Sequence, residues 1–276
     1  MNTMFFEPQG WFVGSEDTRQ MGNALFGLFL AVVVGLVVIG GIKRIGSVAA
    51  RLVPGMVVLY GGTSLFIILL HVDRIFPSLS LIFSDAFTGQ AVAGGALGMV
   101  IVTGVRRAAF SNEAGMGTEA MAHGAAKTRE PIREGVVAMW GPVIDTLLMC
   151  TLTGLVLMVT DVWDSGIGDG VLLTTQAFQL ALPGVGPYLL LAGVLCLSFS
   201  SMLGFSYYVV KCGCFLFGQK ARLPVLGFYL LTIVVSAMVK MEVIINFLDI
   251  AFGLMAIPTI LSSMLLAPRV NEAARK

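Results

Sequence analysis

Residues 91–126 read AVAGGALGMVIVTGVRRAAFSNEAGMGTEAMAHGAA, and this stretch decides how the chain folds. Its purely apolar first part would form a helix of only about 22 Å, whereas a hydrocarbon core is about 30 Å thick. A single straight helix over the whole stretch would measure about 54 Å, which is too long. Ser111 and Asn112 favour helix ends, and Gly115 and Gly117 permit non-helical backbone. We therefore expect a helix that is broken in the middle of the membrane.

A second interpretation is that a short span ends at Val105 and that Arg106 and Arg107 begin a cytoplasmic loop. The pattern alone does not separate the two interpretations. The low charge of residues 108–126 favours the broken helix, because Glu113 and Glu119 are the only charged residues in that range. Many secondary transporters build their binding sites from helices broken near the bilayer midplane, where freed amides and carbonyls face a solute or an ion.

The composition is that of a membrane protein. Of the 276 residues 57% are hydrophobic and 12% are charged, whereas ordinary soluble domains have about 45–50% and about 25%. A formal net charge of +1 argues against a nucleic-acid partner, which normally selects a basic surface. The sequence has no nucleotide-binding glycine motif and no recognisable set of catalytic side chains, so we expect neither an enzyme nor a cofactor.

Six further stretches are apolar over about the 20 residues that a spanning helix needs. They lie near 22–41, 52–71, 135–160, 186–210, 224–240 and 243–267. With the broken segment the chain is an all-α transmembrane protein of about seven spans. If residues 1–21 lie outside the cell, twelve of the seventeen basic residues fall in cytoplasmic segments and three fall outside. We therefore expect an extracytoplasmic segment at 1–21, a transmembrane region at 22–268 and a cytoplasmic tail at 269–276, in the cell membrane of a bacterium.

The string FSNEAGMG at 110–117 is specific, and through it the chain resembles the alanine/glycine:cation symporter (sodium:alanine symporter) family. Supporting stretches are GGIKRI at 40–45, SYY at 206–208 and GLMAIP at 253–258. The resemblance implies a leucine-transporter-type fold, in which two inverted five-helix repeats surround a central site. On that template the chain resembles the second repeat plus two helices of the first, and we expect core helices one to three to be missing.

The resemblance also implies a function. It predicts sodium-coupled symport of a small neutral amino acid, alanine or glycine, by alternating access, with Na⁺ as the coupling ion. The alternative is a non-transporting membrane remnant, or a partner subunit of a split transporter whose N-terminal half is a separate chain.

The site residues that the resemblance implies lie first in the broken segment. Phe110, Ser111 and Asn112 would meet the amino and carboxylate groups of the substrate, and Gly115 would belong to the break beside it.

A second set lies in the predicted span 186–210. Ser200 and Ser201 match a serine–threonine pair whose hydroxyl oxygens suit Na⁺, and Ser201 would also contact the substrate. The other interpretation of these serines is hydrogen bonding between helices, which is common in membranes. Phe205 stands where the family usually has tryptophan, which leaves the accepted substrate size open.

Two acids, Asp145 and Asp249, lie inside predicted spans. Acids at membrane depth are functional suspects, because their burial is costly. We favour a structural hydrogen-bonding role for both, with a helix-backbone group or a threonine as the expected partner.

Overall fold

The computed structural model describes residues 16–87, 96–113, 115–166 and 170–274, and all regular secondary structure in these ranges is helical. The α-helices are α1 (Glu16–Val38), α2 (Gly41–Met56), α3 (Gly62–Leu70), α4 (Val72–Phe87), α5 (Ala96–Asn112), α6 (Thr118–His123), α7 (Pro131–Pro142), α8 (Thr151–Val159), α9 (Gly170–Ala181), α10 (Gly186–Phe217), α11 (Arg222–Met238) and α12 (Met241–Ala274). Two π-helical segments, Val57–Gly61 and Val143–Cys150, join α2 to α3 and α7 to α8. Single 3-10 turns lie at Val162–Asp164 and Gln219–Ala221.

Within the described ranges, six continuous helices are long and apolar enough to cross a membrane, and the chain is therefore a multi-pass membrane protein. They are Gln20–Val38, Gly41–Leu70, Pro131–Val159, Gly186–Phe217, Gln219–Met238 and Met241–Ala273. These helices coincide with the six apolar stretches predicted from the sequence. The second one begins about eleven residues before the predicted residue 52, because the basic stretch after Gly41 is also helical.

Both π-helical segments follow a proline inside the helix. Pro54 lies shortly before Val57–Gly61, and Pro142 directly precedes Val143–Cys150. Proline lacks an amide hydrogen and its ring clashes with the carbonyl four residues earlier, so the α-helical hydrogen-bond pattern is interrupted there. The wider turn shifts the side chains that follow around the helix axis, and such turns are frequent at functional sites.

The chain divides into two compact units, of which unit 1 comprises residues 1–60 and 187–248. Its most extensive helix contact is between α1 and α11. A Cβ atom at Gly27 would lie only 2.8 Å from the Cβ of Ala237, so this glycine allows the two helices to approach closely. Tyr229 donates a hydrogen bond of 2.6 Å to the carbonyl of Met202, which ties α11 to α10.

Unit 2 comprises residues 61–186 and 249–276. Helix α8 is packed by α3, α4 and α9, with Val156 and Phe178 fully buried. At one end of α8, Arg74 Nη1 donates to Asp161 Oδ2 at 2.6 Å. Helix α5 packs against Val143–Cys150, and α6 packs against α7.

Two of the predicted boundaries fall partly on residues that the structure does not describe. Most of the expected extracytoplasmic segment at 1–21 lies outside the described ranges, and so does the beginning of the irregular segment at 91–95. Helix α1 begins at Glu16 and α12 continues to Ala274. The side of the membrane on which either end lies stays a prediction.

Candidate functional site

The expected helix break is present. Helix α5 ends at Asn112, and helical geometry resumes only at Thr118. Between them Glu113, Gly115 and Gly117 have φ angles of 55°, 79° and 89°. A left-handed backbone is easy for glycine but costs a residue with a Cβ atom about 1–2 kcal/mol. The backbone therefore leaves the helix at several positions, and the depth of this break in the bilayer stays a prediction.

The end of α5 carries a partial negative charge. The last turn of a helix has carbonyl groups without an amide partner in the helix, and the aligned peptide dipoles place negative potential there. In transporters, carbonyls at such an end commonly coordinate a cation.

The two residues that end α5 meet two consecutive residues of the π-helical segment Val143–Cys150. Ser111 Oγ donates a hydrogen bond of 2.5 Å to Asp145 Oδ2. Asn112 Nδ2 makes a longer contact of 3.4 Å with Thr146 Oγ1. Each pair is separated by 34 residues of sequence, so both contacts depend on the tertiary fold.

The partner of Asp145 is not the one expected. A helix-backbone group or a threonine was predicted, and the structure instead pairs the carboxylate with Ser111, a predicted substrate residue. The physical reason is that Asp145 lies three residues after Pro142, in the wider turn that faces the end of α5. The signal that the sequence did contain was an acid inside an apolar span.

The far side of the break packs against α12. A Cβ atom at Gly117 would lie 2.9 Å from Thr259 Oγ1, so the backbone approaches this helix closely. The next residue, Thr118, is only 3% exposed, and its Oγ1 has no hydrogen-bond partner in the described part of the chain. A buried hydroxyl without a partner costs about 1–3 kcal/mol, so this oxygen favours a ligand that would pair with it. Nothing in the sequence distinguished Thr118 and Thr259 from the other hydroxyl residues.

A side-chain contact ties the segment after the break to α7. His123 Nδ1, on α6, lies 2.7 Å from Glu134 Oε1, within hydrogen-bonding distance. Both side chains are partly buried, which strengthens a hydrogen bond relative to a fully exposed one.

Comparison with known proteins gives the family. The sequence profile described as the sodium:alanine symporter family matches residues 9–276. This chain belongs to the sodium:alanine symporter family.

The relatives of this symporter-family chain include bacterial and archaeal transporters, two of which carry a functional name. An uncharacterized transporter of Haemophilus influenzae is 35% identical over 90% of this chain and 55% of its own length. The sodium/alanine symporter AgcS of Methanococcus maripaludis is 37% identical over 87% of this chain and 54% of its own length. The probable sodium/glutamine symporter GlnT of Bacillus subtilis is 32% identical over 94% of this chain and 55% of its own length. The chain spans about half the length of the curated relatives it matches.

Three more predicted residues of this family member lie in unit 2. Phe110 is in α5, and its side chain lies outside what the structure describes. Gly115 is exposed in the break, with open space around its α-carbon. Asp249 is half-buried on α12, and its role stays a prediction.

The remaining predicted residues lie in unit 1, on α10. Ser200 Oγ donates to the carbonyl of Leu197 in its own helix at 2.8 Å, and Ser201 is exposed. Phe205 is half-buried, with its ring edge-on to that of Tyr208 at 5.8 Å between centroids. The hydroxyl oxygen of Ser200 keeps lone pairs for a cation, so its predicted sodium role stays a prediction.

Proposed function

We propose that this protein takes part in sodium-coupled symport of a small neutral amino acid, alanine or glycine, by alternating access across a bacterial cell membrane. Membership of the sodium:alanine symporter family and the sodium/alanine symporter among its relatives support the proposal. The leucine-transporter-type arrangement of repeats belongs to the same proposal. The single observation that carries it is the contact between Ser111 and Asp145 at the end of a broken helix.

The chemistry of this contact favours a cation. The carboxylate of Asp145, the hydroxyls of Ser111 and Thr146, and the last carbonyls of α5 all present oxygen atoms, which hard cations such as Na⁺ prefer. The negative charge and the helix end repel a carboxylate and attract a positive charge. We therefore propose that Asp145 and Ser111 coordinate Na⁺. Ser111 would then contact the cation in addition to its predicted role in the substrate site.

The amino acid would bind beside this cation. Asn112 directly follows Ser111 and offers an amide, with one donor group and one acceptor group, to the charged ends of an amino acid. Phe110 and Gly115 remain the proposed neighbours in the break. The family resemblance remains the ground for proposing Phe205 and Ser201 as substrate contacts, and Ser200 and Ser201 as oxygen ligands for Na⁺.

Coupling follows from the adjacency of Ser111 and Asn112. Na⁺ bound at Asp145 would hold Ser111, and with it the end of α5 from which Asn112 reaches the substrate. Ordering by one ligand lowers the cost of binding the other, and the two affinities must rise by the same factor. Na⁺ would also neutralise a carboxylate whose charge is costly at membrane depth.

Uptake of radiolabelled alanine into proteoliposomes tests the proposal. We expect uptake under an inward Na⁺ gradient, little uptake when K⁺ replaces Na⁺, and loss of the sodium-dependent part in Asn112→Ala at an equal amount of reconstituted protein. Unchanged uptake by that variant would remove Asn112 from the site.

The second candidate is a partner subunit of a split transporter, or a remnant without transport. The observation that favours it is that the chain spans about half the length of its relatives. Co-expression with a protein that supplies core helices one to three separates the two. Uptake that appears only on co-expression indicates a split carrier. Absence of uptake both with and without the partner indicates a remnant.

A further inference from the structure

A cavity of about 500 Å³ opens in unit 1, and none of its described lining residues is one that we assign to transport. It lies where α1 ends and α2 begins, beside the last turns of α10 and the first turn of α11. Lys43, Lys211 and Arg222 line it, and none of the described lining residues is acidic. Its volume falls within the range of about 300–1,000 Å³ that is usual for small-molecule sites.

The three cations lack counter-charges in the described part of the chain. In the described ranges, no carboxylate lies within ion-pairing distance of Lys43, Lys211 or Arg222. The ammonium group of Lys211 lies 5.8 Å from the centre of the Tyr207 ring, a contact that orients it but does not neutralise it. Three like charges around one cavity repel one another, so an anion between them would stabilise the arrangement.

The backbone at the start of α2 also favours an anion in the cavity. Gly41 begins α2 with a φ of 74°, and a Cβ atom there would lie 3.1 Å from Arg222 Nη2. Glycine therefore lets the guanidinium lie close to the first turn of α2. The first turn of a helix presents amide hydrogens without helical partners and a positive dipole end, which together attract phosphate.

The inner wall of the cavity is apolar and belongs to the membrane-spanning part. Val38, Ile45 and Leu226 line it and are buried. Near the cavity, the large apolar side chains of Phe215 and Leu223 are 88% and 71% exposed. The site thus combines a basic rim with hydrocarbon surface at the ends of spanning helices, as an anionic lipid requires and a free anion does not.

We propose that this cavity binds the phosphate headgroup of an anionic glycerophospholipid of the cytoplasmic leaflet. Lys43, Lys211 and Arg222 contact the phosphate, Gln219 donates to the rest of the headgroup, and the acyl chains lie along the exposed apolar side chains. Basic pockets between spanning helices on the cytoplasmic side are suited to such lipids. The positive-inside distribution predicts that this end of the helices lies in the cytoplasm.

The test is lipid binding to the purified chain in nonionic detergent. Native mass spectrometry counts bound dioleoylphosphatidylglycerol and dioleoylphosphatidylcholine, and competition with inorganic phosphate is measured in parallel. We expect selective retention of phosphatidylglycerol, with at least about tenfold weaker binding in the triple variant Lys43→Gln, Lys211→Gln, Arg222→Gln. The matched control, Lys127→Gln, Arg129→Gln, Arg269→Gln, removes the same charge outside the cavity and should keep binding.

Each other outcome would overturn the proposal. Equal retention of the two lipids would show that the cavity does not select an anionic headgroup. Equal loss of binding in the two triple variants would show that general surface charge, not the cavity, attracts the lipid. Competition by millimolar inorganic phosphate, with no preference for the lipid, would assign the cavity to a soluble phosphate compound. Lys43→Arg with Lys211→Arg keeps the charges and should keep binding, and loss of binding in this variant as well would show that the effect does not depend on charge.

Discussion

Ser111 and Ser200 are both serines in apolar helices, and the structure uses their hydroxyl groups differently. Ser111 lies at the end of the 17-residue α5 and donates to Asp145, which is 34 residues away in sequence. Ser200 lies inside the 32-residue α10 and donates to Leu197 of the same helix. A continuous helix satisfies a serine with its own carbonyls, whereas the serine at a helix end reaches another segment. The interruption of α5 therefore lets Ser111 contact another segment, whereas Ser200 in the continuous α10 bonds only to its own helix among the contacts described.

The largest expected effect comes from removing the charge opposite Ser111. In Asp145→Asn the side chain keeps its shape but loses the negative charge that we assign to Na⁺. We expect the sodium concentration for half-maximal alanine uptake to rise at least about tenfold, which is about 1.4 kcal/mol. The control is Asp164→Asn, an exposed acid in a 3-10 turn, which should leave this concentration unchanged. An unchanged value in Asp145→Asn would remove the carboxylate from the cation site.

The second effect tests whether the left-handed backbone of the break after α5 contributes to stability. Gly117→Ala places a Cβ atom on a residue with a φ of 89° and brings that atom to 2.9 Å from Thr259 Oγ1. We expect a loss of about 1–2 kcal/mol in the free energy of unfolding, measured by thermal unfolding in detergent. Gly141→Ala, in α7 with open space around the position, should be neutral or stabilising. Equal stability of the two variants would show that the backbone at Gly117 is not left-handed.

The smallest effect concerns the continuous helix. Ser200→Ala removes a hydrogen bond to the backbone of the same helix, so we expect the free energy of unfolding to change by less than about 1 kcal/mol. The sodium requirement of uptake should rise if the predicted ligand role holds. An unaltered sodium requirement would show that Ser200 does not bind Na⁺ and only forms a hydrogen bond within its own helix, unlike Ser111.

The spans could be predicted from the sequence because they depend on local composition. The predicted stretch 135–160 corresponds to Pro131–Val159, and the break was expected where Ser111, Asn112 and two glycines follow one another. Helix α10 continues to Phe217, beyond the predicted residue 210, since Lys211 does not stop a helix once the chain leaves the apolar region.

The contact between Ser111 and Asp145 could not be predicted, because it joins two segments through the path of the chain between them. It depends on the wider turn after Pro142 and on where the end of α5 packs. Hydropathy reports neither of these. The acid was recognised as unusual at membrane depth, but its partner is a property of the tertiary fold.

The most direct test of the central claim, that the end of α5 and Asp145 form one cation site, is a double-mutant cycle. The sodium concentration for half-maximal uptake is measured for Ser111→Ala, Asp145→Asn, the double variant and the unmodified chain, with its partner if uptake requires one. The account predicts that the double variant is little worse than Asp145→Asn alone, with a coupling free energy of about 0.5–3 kcal/mol. Strictly additive effects of the two substitutions would contradict it, because they would show that the serine and the carboxylate act independently.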